Sequence, residues 1–152
     1  MRIRLVCLGT LKEPYLSDAQ DRLLGIVARK NGISGCEVVE LKEEPVRDGA
    51  SPALIEQALA IEAERILEKI PDRARLVCLD LDGQPATEQF FSGLRRKLLQ
   101  QQTEDLIFLI GGSNGIHDRV KAKAHHRIAF SRLTYPHQLF RIALLEAMAL
   151  YL

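Results

Sequence analysis

The feature that most constrains this chain is a recurrence of short, unbroken apolar runs separated by stretches of helical periodicity. Ile3–Leu8, Cys36–Leu41, Arg75–Leu81 and Leu106–Ile110 are rich in Val, Leu and Ile, and a weaker run spans Arg127–Ser131. Runs this short, without polar alternation, fit strands covered on both faces. Helix signatures lie between them. Ser17-Asp-Ala-Gln20 reads as a capping box, and Leu23, Leu24, Ile26 and Val27 carry that helix to a stop at Asn31-Gly32. Ser51-Pro52 places an N-cap before a proline at the first helical position, and the spacing from Leu54 predicts a helix to Ile70. Thr87 caps a third pattern through Phe90, Phe91, Leu94, Leu98 and Leu99. Strands alternating with helices predict βαβ units and a mostly parallel sheet in one α/β domain over residues 1–152. Lys42–Ala50, with Pro45 and Gly49, reads as a surface loop.

The chain has 152 residues, and a domain of that size buries about 68–70% of its unfolded surface without needing staples. Met1–Leu8 lacks a long apolar core and a small-residue cleavage site, so it reads as a first strand and not a signal peptide. No apolar stretch approaches the ~18 residues of a membrane span. Cys7, Cys36 and Cys78 are far apart and form no C-x-x-C pair. They are read as reduced thiols of a cytoplasmic protein, with no metal site expected. The formal charge of +1 hides an asymmetry: residues 1–110 carry −3 and residues 111–152 carry +4, with all four histidines in the second part. Such a split can mark a face for an anionic partner.

In sheets of this kind ligands sit beyond the carboxyl ends of the strands. Three features follow such ends. Gly111-Gly-Ser-Asn-Gly115 leaves the fourth run, and its glycines permit a sharp turn or a close approach to a ligand. It lacks G-x-G-x-x-G, a following Lys-Ser/Thr and an acidic residue ~20 positions on. A plain strand-to-helix turn and nucleotide binding of another geometry both remain open. Ala129–Gln138 then runs through Phe130, Ser131, Arg132, Leu133, Thr134 and Tyr135 to Pro136 at a helix start. That loop can hold a base and a ribose, or serve as an ordinary crossover. The last helix, Leu139–Leu152, has Arg141 and Glu146 as its charged groups and is otherwise apolar around its whole circumference. A homodimer interface through this helix, with Leu145 in it, is preferred to a buried central helix. His125-His126 reads as a solvated pair on the basic face, with no ligand spacing for a metal.

These features in this order resemble the RlmH (YbeA-like) family of SPOUT-class methyltransferases. The resemblance covers nearly the whole chain. It begins at Val6–Tyr15, similar to the family's GKxKxxY stretch, and continues through Leu79-Asp-Leu-Asp-Gly83 and Ile110–Gly115. It ends with Phe130–Gln138 and Arg141–Glu146. It implies a SPOUT-like parallel sheet flanked by helices, a C-terminal trefoil knot, a homodimer, and S-adenosylmethionine as methyl donor. The implied activity is N3-methylation of a pseudouridine in 23S rRNA on the assembled ribosome. Carried over by position, the donor would contact Leu79, Gly111 and the loop residues Phe130, Ser131, Arg132, Leu133, Thr134 and Tyr135.

His137 and Arg141 are the polar groups expected near that site. His137 is read as fixing the knot or the dimer before it is read as a base, and the catalytic base is unassigned. Family members continue past the Leu-Leu-Glu block into a Gln-x-Tyr-Arg-Ala stretch and a basic tail, where this chain has Ala147–Leu152. The expectation that follows is donor binding and dimerisation, with a catalytically silent dimer as the alternative to an active enzyme. A generic nucleotide-binding module would explain the glycine turn but not the Phe130–Tyr135 loop.

Overall fold

The computed structural model describes residues 1–134 and 136–152. In chain order the elements are β1 (Arg2–Leu8), α1 (Pro14–Ala28), β2 (Gly35–Leu41), α2 (Pro52–Leu67) and β3 (Arg75–Pro85). They continue with α3 (Glu88–Gln100), β4 (Asp105–Ile110), α4 (Asp118–Lys121), β5 (His126–Ala129) and α5 (His137–Tyr151). The strands form one sheet in the order β2-β1-β4-β3-β5, with every neighbouring pair parallel. The predicted parallel α/β architecture is therefore the observed one.

Alternate side chains of each strand enter two separate apolar layers. Ile3, Leu5, Cys7, Val77, Leu106 and Phe108 pack against α1, α3 and α5 through Leu23, Val27, Phe91, Leu98, Leu144 and Met148. Val6, Leu8, Leu76, Cys78, Ile107 and Leu109 face α2 and α4 through Ala63, Ile66 and Val120. Burial on both faces is why the runs show no polar alternation.

Ser51 and Thr87 cap as their sequence contexts predict. Ser51 Oγ accepts the Leu54 N–H at 3.4 Å and Thr87 Oγ1 accepts the Phe90 N–H at 3.1 Å. The capping box at Ser17 is not used. Helix α1 begins four residues earlier, at Pro14, with Glu13 as an N-cap that makes no side-chain bond. Proline at the first helical position presets φ and lacks an N–H that would be orphaned there, so it starts the helix unaided. Helix α2 stops at Leu67, short of Ile70.

Strand β3 runs past Leu81 to Pro85 because its pairing with β5 is interrupted and then resumed. Leu79 and Gln84 both stand opposite Ile128, so residues 80–83 bulge out between them. A Cβ at Gly83 would lie 2.6 Å from the backbone of Arg127 and Ile128, and only glycine allows this return.

Helix α5 corrects another expectation. Leu145 is fully buried within the chain, beside Leu144 and Met148 in the layer shared with α1 and α3. It is a core residue and not an interface residue. The large apolar side chains that α5 leaves uncovered are Leu139, Leu150 and Tyr151. Among the described residues, no helix is long and apolar enough to cross a membrane.

Candidate functional site

Where β3, β4 and β5 end side by side, the sheet opens into a cavity of about 430 Å³. Leu79, Ile110 and Ile128 are partners in the strand register and form its apolar base. One wall is the turn Gly111–Gly115 with Ile116, and the opposite wall is Phe130, Ser131 and Thr134. The 80–82 bulge and Lys121 close a third side, and His137 and Phe140 of α5 a fourth. The volume lies within the range of small-molecule sites, which combine an apolar lining with a few placed polar groups.

The glycine turn is held from both sides. Gly115 sits at φ +86° and returns its N–H to Gly112 O at 3.1 Å. A Cβ on Gly111 would stand 2.7 Å from Gly115 O and from Ile116 Cγ1. The turn itself, more than the cavity, therefore excludes a side chain at Gly111. Glu43, in the loop after β2, accepts the Ser113 N–H at 2.7 Å. Its carboxylate occupies the place a Cβ on Gly112 would need, at 2.6 Å. Behind it Glu62 of α2 is buried and accepts the Glu44 N–H at 2.8 Å. Burial, followed by the nearby Glu43 charge, pushes the Glu62 carboxyl above its ordinary range, against the Glu44 bond and Arg65.

The second wall is built differently. Leu133 donates its N–H to Ser131 Oγ at 2.9 Å, and Arg132, Leu133 and Thr134 are exposed. Phe130 is anchored at the loop's start, its ring 6.3 Å from that of Phe91.

Of the residues expected at the site, Leu79, Gly111, Phe130, Ser131 and Thr134 meet at the cavity. Arg132 and Leu133 stand outside its lining, on the exposed part of the loop. Tyr135 lies outside the described residues. His137 is on the wall, whereas Arg141 is not. Arg141 is buried and donates to Glu40 Oε1, Gln20 Oε1 and Gly9 O, tying α5 to α1 and to the ends of β1 and β2.

Sequence reasoning missed Asp80, Lys121 and Glu43. The Leu79-Asp-Leu-Asp-Gly83 block pointed at the first, but nothing in the sequence linked the other two to it. Asp80 Oδ2 is buried without a hydrogen bond, 3.3 Å from Lys121 Nζ and 3.6 Å from Arg127 Nε.

Of the pair expected in solvent, His125 is exposed and His126 is half-buried. His125 Nδ1 accepts the Leu76 N–H at 3.1 Å, and His126 rests edge-on against Phe90. Burial first, then the charges of Arg75 and Lys97, hold both below the ordinary histidine value. The thiols of Cys7, Cys36 and Cys78 are free. Burial pushes them up to about 11, 12 and 12 respectively, so they are unreactive near neutrality. Among the described residues, no group of three or more His, Cys, Asp or Glu is placed to hold a metal ion.

A parallel α/β sheet that ends in a pocket between a glycine turn and the loop into its last helix has the arrangement in which α/β proteins place their ligands. The chain belongs to the SPOUT methyltransferase family: the family model described as "Predicted SPOUT methyltransferase" matches residues 1–151. It is 38% identical over 146 residues to the ribosomal RNA large subunit methyltransferase H of Streptococcus uberis, covering 96% of this chain and 90% of that protein. It is also 38% identical over 146 residues to ribosomal RNA large subunit methyltransferase H 2 of Caldanaerobacter subterraneus, covering 96% and 95%. The protein named ribosomal RNA large subunit methyltransferase H in Caldicellulosiruptor saccharolyticus is 38% identical over 145 residues, covering 95% and 89%.

Proposed function

We propose that this chain is a cytoplasmic S-adenosylmethionine-dependent methyltransferase of 23S rRNA, acting on N3 of a pseudouridine in the assembled ribosome. It works as one domain, as a homodimer through the uncovered residues of α5, with the C-terminal trefoil knot that the family resemblance implies. The observation that carries this reading is the cavity in which Leu79, Gly111, Phe130, Ser131 and Thr134 meet at the strand ends, in a chain of this family.

The residues present fit the donor. Leu79, Ile110, Ile128, Phe130 and Phe140 offer apolar atoms to an adenine ring, and the side-chain-free backbone of Gly111, Gly112 and Gly115 lines the cavity beside Ser113 and Asn114. When bound, S-adenosylmethionine supplies an already electrophilic methyl group. The protein's task is then mainly placement, holding the acceptor nitrogen in line with that methyl. The imide proton on N3 must leave as the new bond forms, so a base or a positive group near the cavity mouth assists. Lys121 and His137 are the basic side chains on the cavity lining.

The test has two parts. Titration calorimetry with S-adenosylmethionine should show saturable binding, and its absence would overturn the reading. Transfer of a labelled methyl group to ribosomes carrying the pseudouridine, and not to ribosomes lacking it, should follow. Tight donor binding without transfer would favour the silent dimer.

A further inference from the structure

A second depression, of about 400 Å³, lies beside the donor cavity and shares two of its wall residues, Asp82 and Lys121. The remainder of its lining is Gly83, Gln84, Ala124, His125, His126 and Arg127. The 80–83 bulge of β3 is the ridge between the two. Its first three residues face the donor cavity, and Asp82, Gly83 and Gln84 face the shelf.

We propose that this shelf is an RNA-backbone site, where Lys121 and Arg127, held by Asp80, receive phosphates of the strand whose base enters the donor cavity. The inference rests on the function proposed above and specifies where the RNA lies. Asp80 has the geometry of a positioning residue. Its side chain is 7% exposed, and its single charge faces two cations. Arg127 turns only Nε toward Asp80, at 3.6 Å, and its side chain is 44% exposed. Among the described residues its terminal nitrogens have no partner, so they are presented outward in the fork geometry that suits phosphate oxygens.

The surroundings agree in sign. Arg75 of β3 and Lys97 of α3 are the charges that hold His125 and His126 down, after burial. Asp82 is the opposing carboxylate on the lining. An incoming phosphate offsets those cations and lets the His126 imidazole take up a proton, while His125 Nδ1 stays committed to the Leu76 N–H. Binding to the shelf therefore strengthens as pH falls through the histidine range. Lys121, Ala124, His125, His126 and Arg127 of the shelf belong to the +4 part of the chain.

The experiment measures anisotropy of a labelled stem-loop RNA from 23S rRNA over a range of KCl concentrations. It compares the native chain, R127Q, K121Q/R127Q, and a control, K69Q/R73Q, whose exposed cations lie near the amino-terminal end of β3. Each phosphate contact removed should shallow the slope of log affinity against log salt by roughly 0.7–0.9. R127Q should lose about one such unit and the double variant about two, with an affinity loss of about tenfold or more at low salt. The control should be unchanged.

Arg127 lies outside the donor cavity, so R127Q should keep its affinity for S-adenosylmethionine. If K121Q/R127Q does not fold, the R127Q slope alone decides. Unchanged slopes in R127Q and the double variant, or a loss in the control instead, would overturn the proposal. So would competition by polyglutamate as effective as that by RNA, which would reassign the shelf to acidic peptides. Failure of the native chain to bind S-adenosylmethionine would instead count against the function itself, whatever the slopes.

Discussion

The two long walls of the strand-end cavity are made in opposite ways. The Gly111–Gly115 turn closes on itself through Gly115, and Glu43 clamps it from a loop 70 residues away in sequence. The clamp backs onto the buried Glu62. The Phe130–Thr134 wall has a Ser131–Leu133 bond and an anchored Phe130, and it leaves Arg132, Leu133 and Thr134 in solvent. The turn also exposes Ser113, Asn114 and Gly115, but its Ser113 and Gly115 N–H groups are already bonded, while the other wall has polar and apolar groups still to place. A site assembled this way recognises through the rigid wall and tightens through the open one, so ordering of the open wall draws on binding free energy.

Substitutions on the two walls should therefore differ in kind. The largest effect is expected at Gly111. Its Cβ would meet backbone at 2.7 Å, so Gly111→Val should lower unfolding free energy by about 1–3 kcal/mol, as overpacking does, and abolish donor binding. A denaturation midpoint equal to the native one would show that the turn can open without cost. Next comes Glu43→Ala, which leaves the Ser113 N–H without its partner. A loss of about 1 kcal/mol is expected, read as a roughly fivefold weaker donor affinity in calorimetry.

Glu62 gives a smaller effect with a definite sign. A carboxyl held above its ordinary value of 4.5 binds its proton more tightly in the folded chain. It therefore subtracts stability above its folded pKa, and the subtraction fades as pH falls toward 4.5. Glu62→Gln keeps an acceptor for the Glu44 N–H. It should raise the melting temperature at pH 7.5 and lose that gain near pH 4; a gain that grows in acid would contradict this. The smallest effect belongs to the open wall. Leu133→Ala, at an exposed position, should change stability by less than about 0.5 kcal/mol in urea melts.

The contrast between the walls also explains what the sequence disclosed. Strands buried on both faces leave unbroken apolar runs, so all five were visible, and the Ser51 and Thr87 caps announced their helices directly. The start of α1 was obscured because Pro14 acts through backbone geometry, whereas Ser17 offered a more familiar side-chain signal that the fold does not use. Gly111 and Phe130 were legible as residues at strand ends, whereas Leu79, inside β3, was pointed to only by the family resemblance. Glu43 was not. It reaches Ser113 past the end of β1, which lies between β2 and β4, and Gly9 there leaves 3.8 Å between its Cβ position and the Glu43 carboxylate. Lys121 was hidden likewise, since its place at the cavity depends on the 80–83 bulge and on β5 lying beside β3. Leu145 misled because apolarity around a whole helix does not say which side the core takes.

Amide hydrogen exchange, with and without saturating S-adenosylmethionine, tests the central claim most directly. The account predicts new protection concentrated in Phe130–Thr134, with the hydrogen-bonded amides of Ser113 and Gly115 already slow and little changed. Protection confined to the glycine turn while the loop exchanges as before, or no protection in either wall, would contradict it.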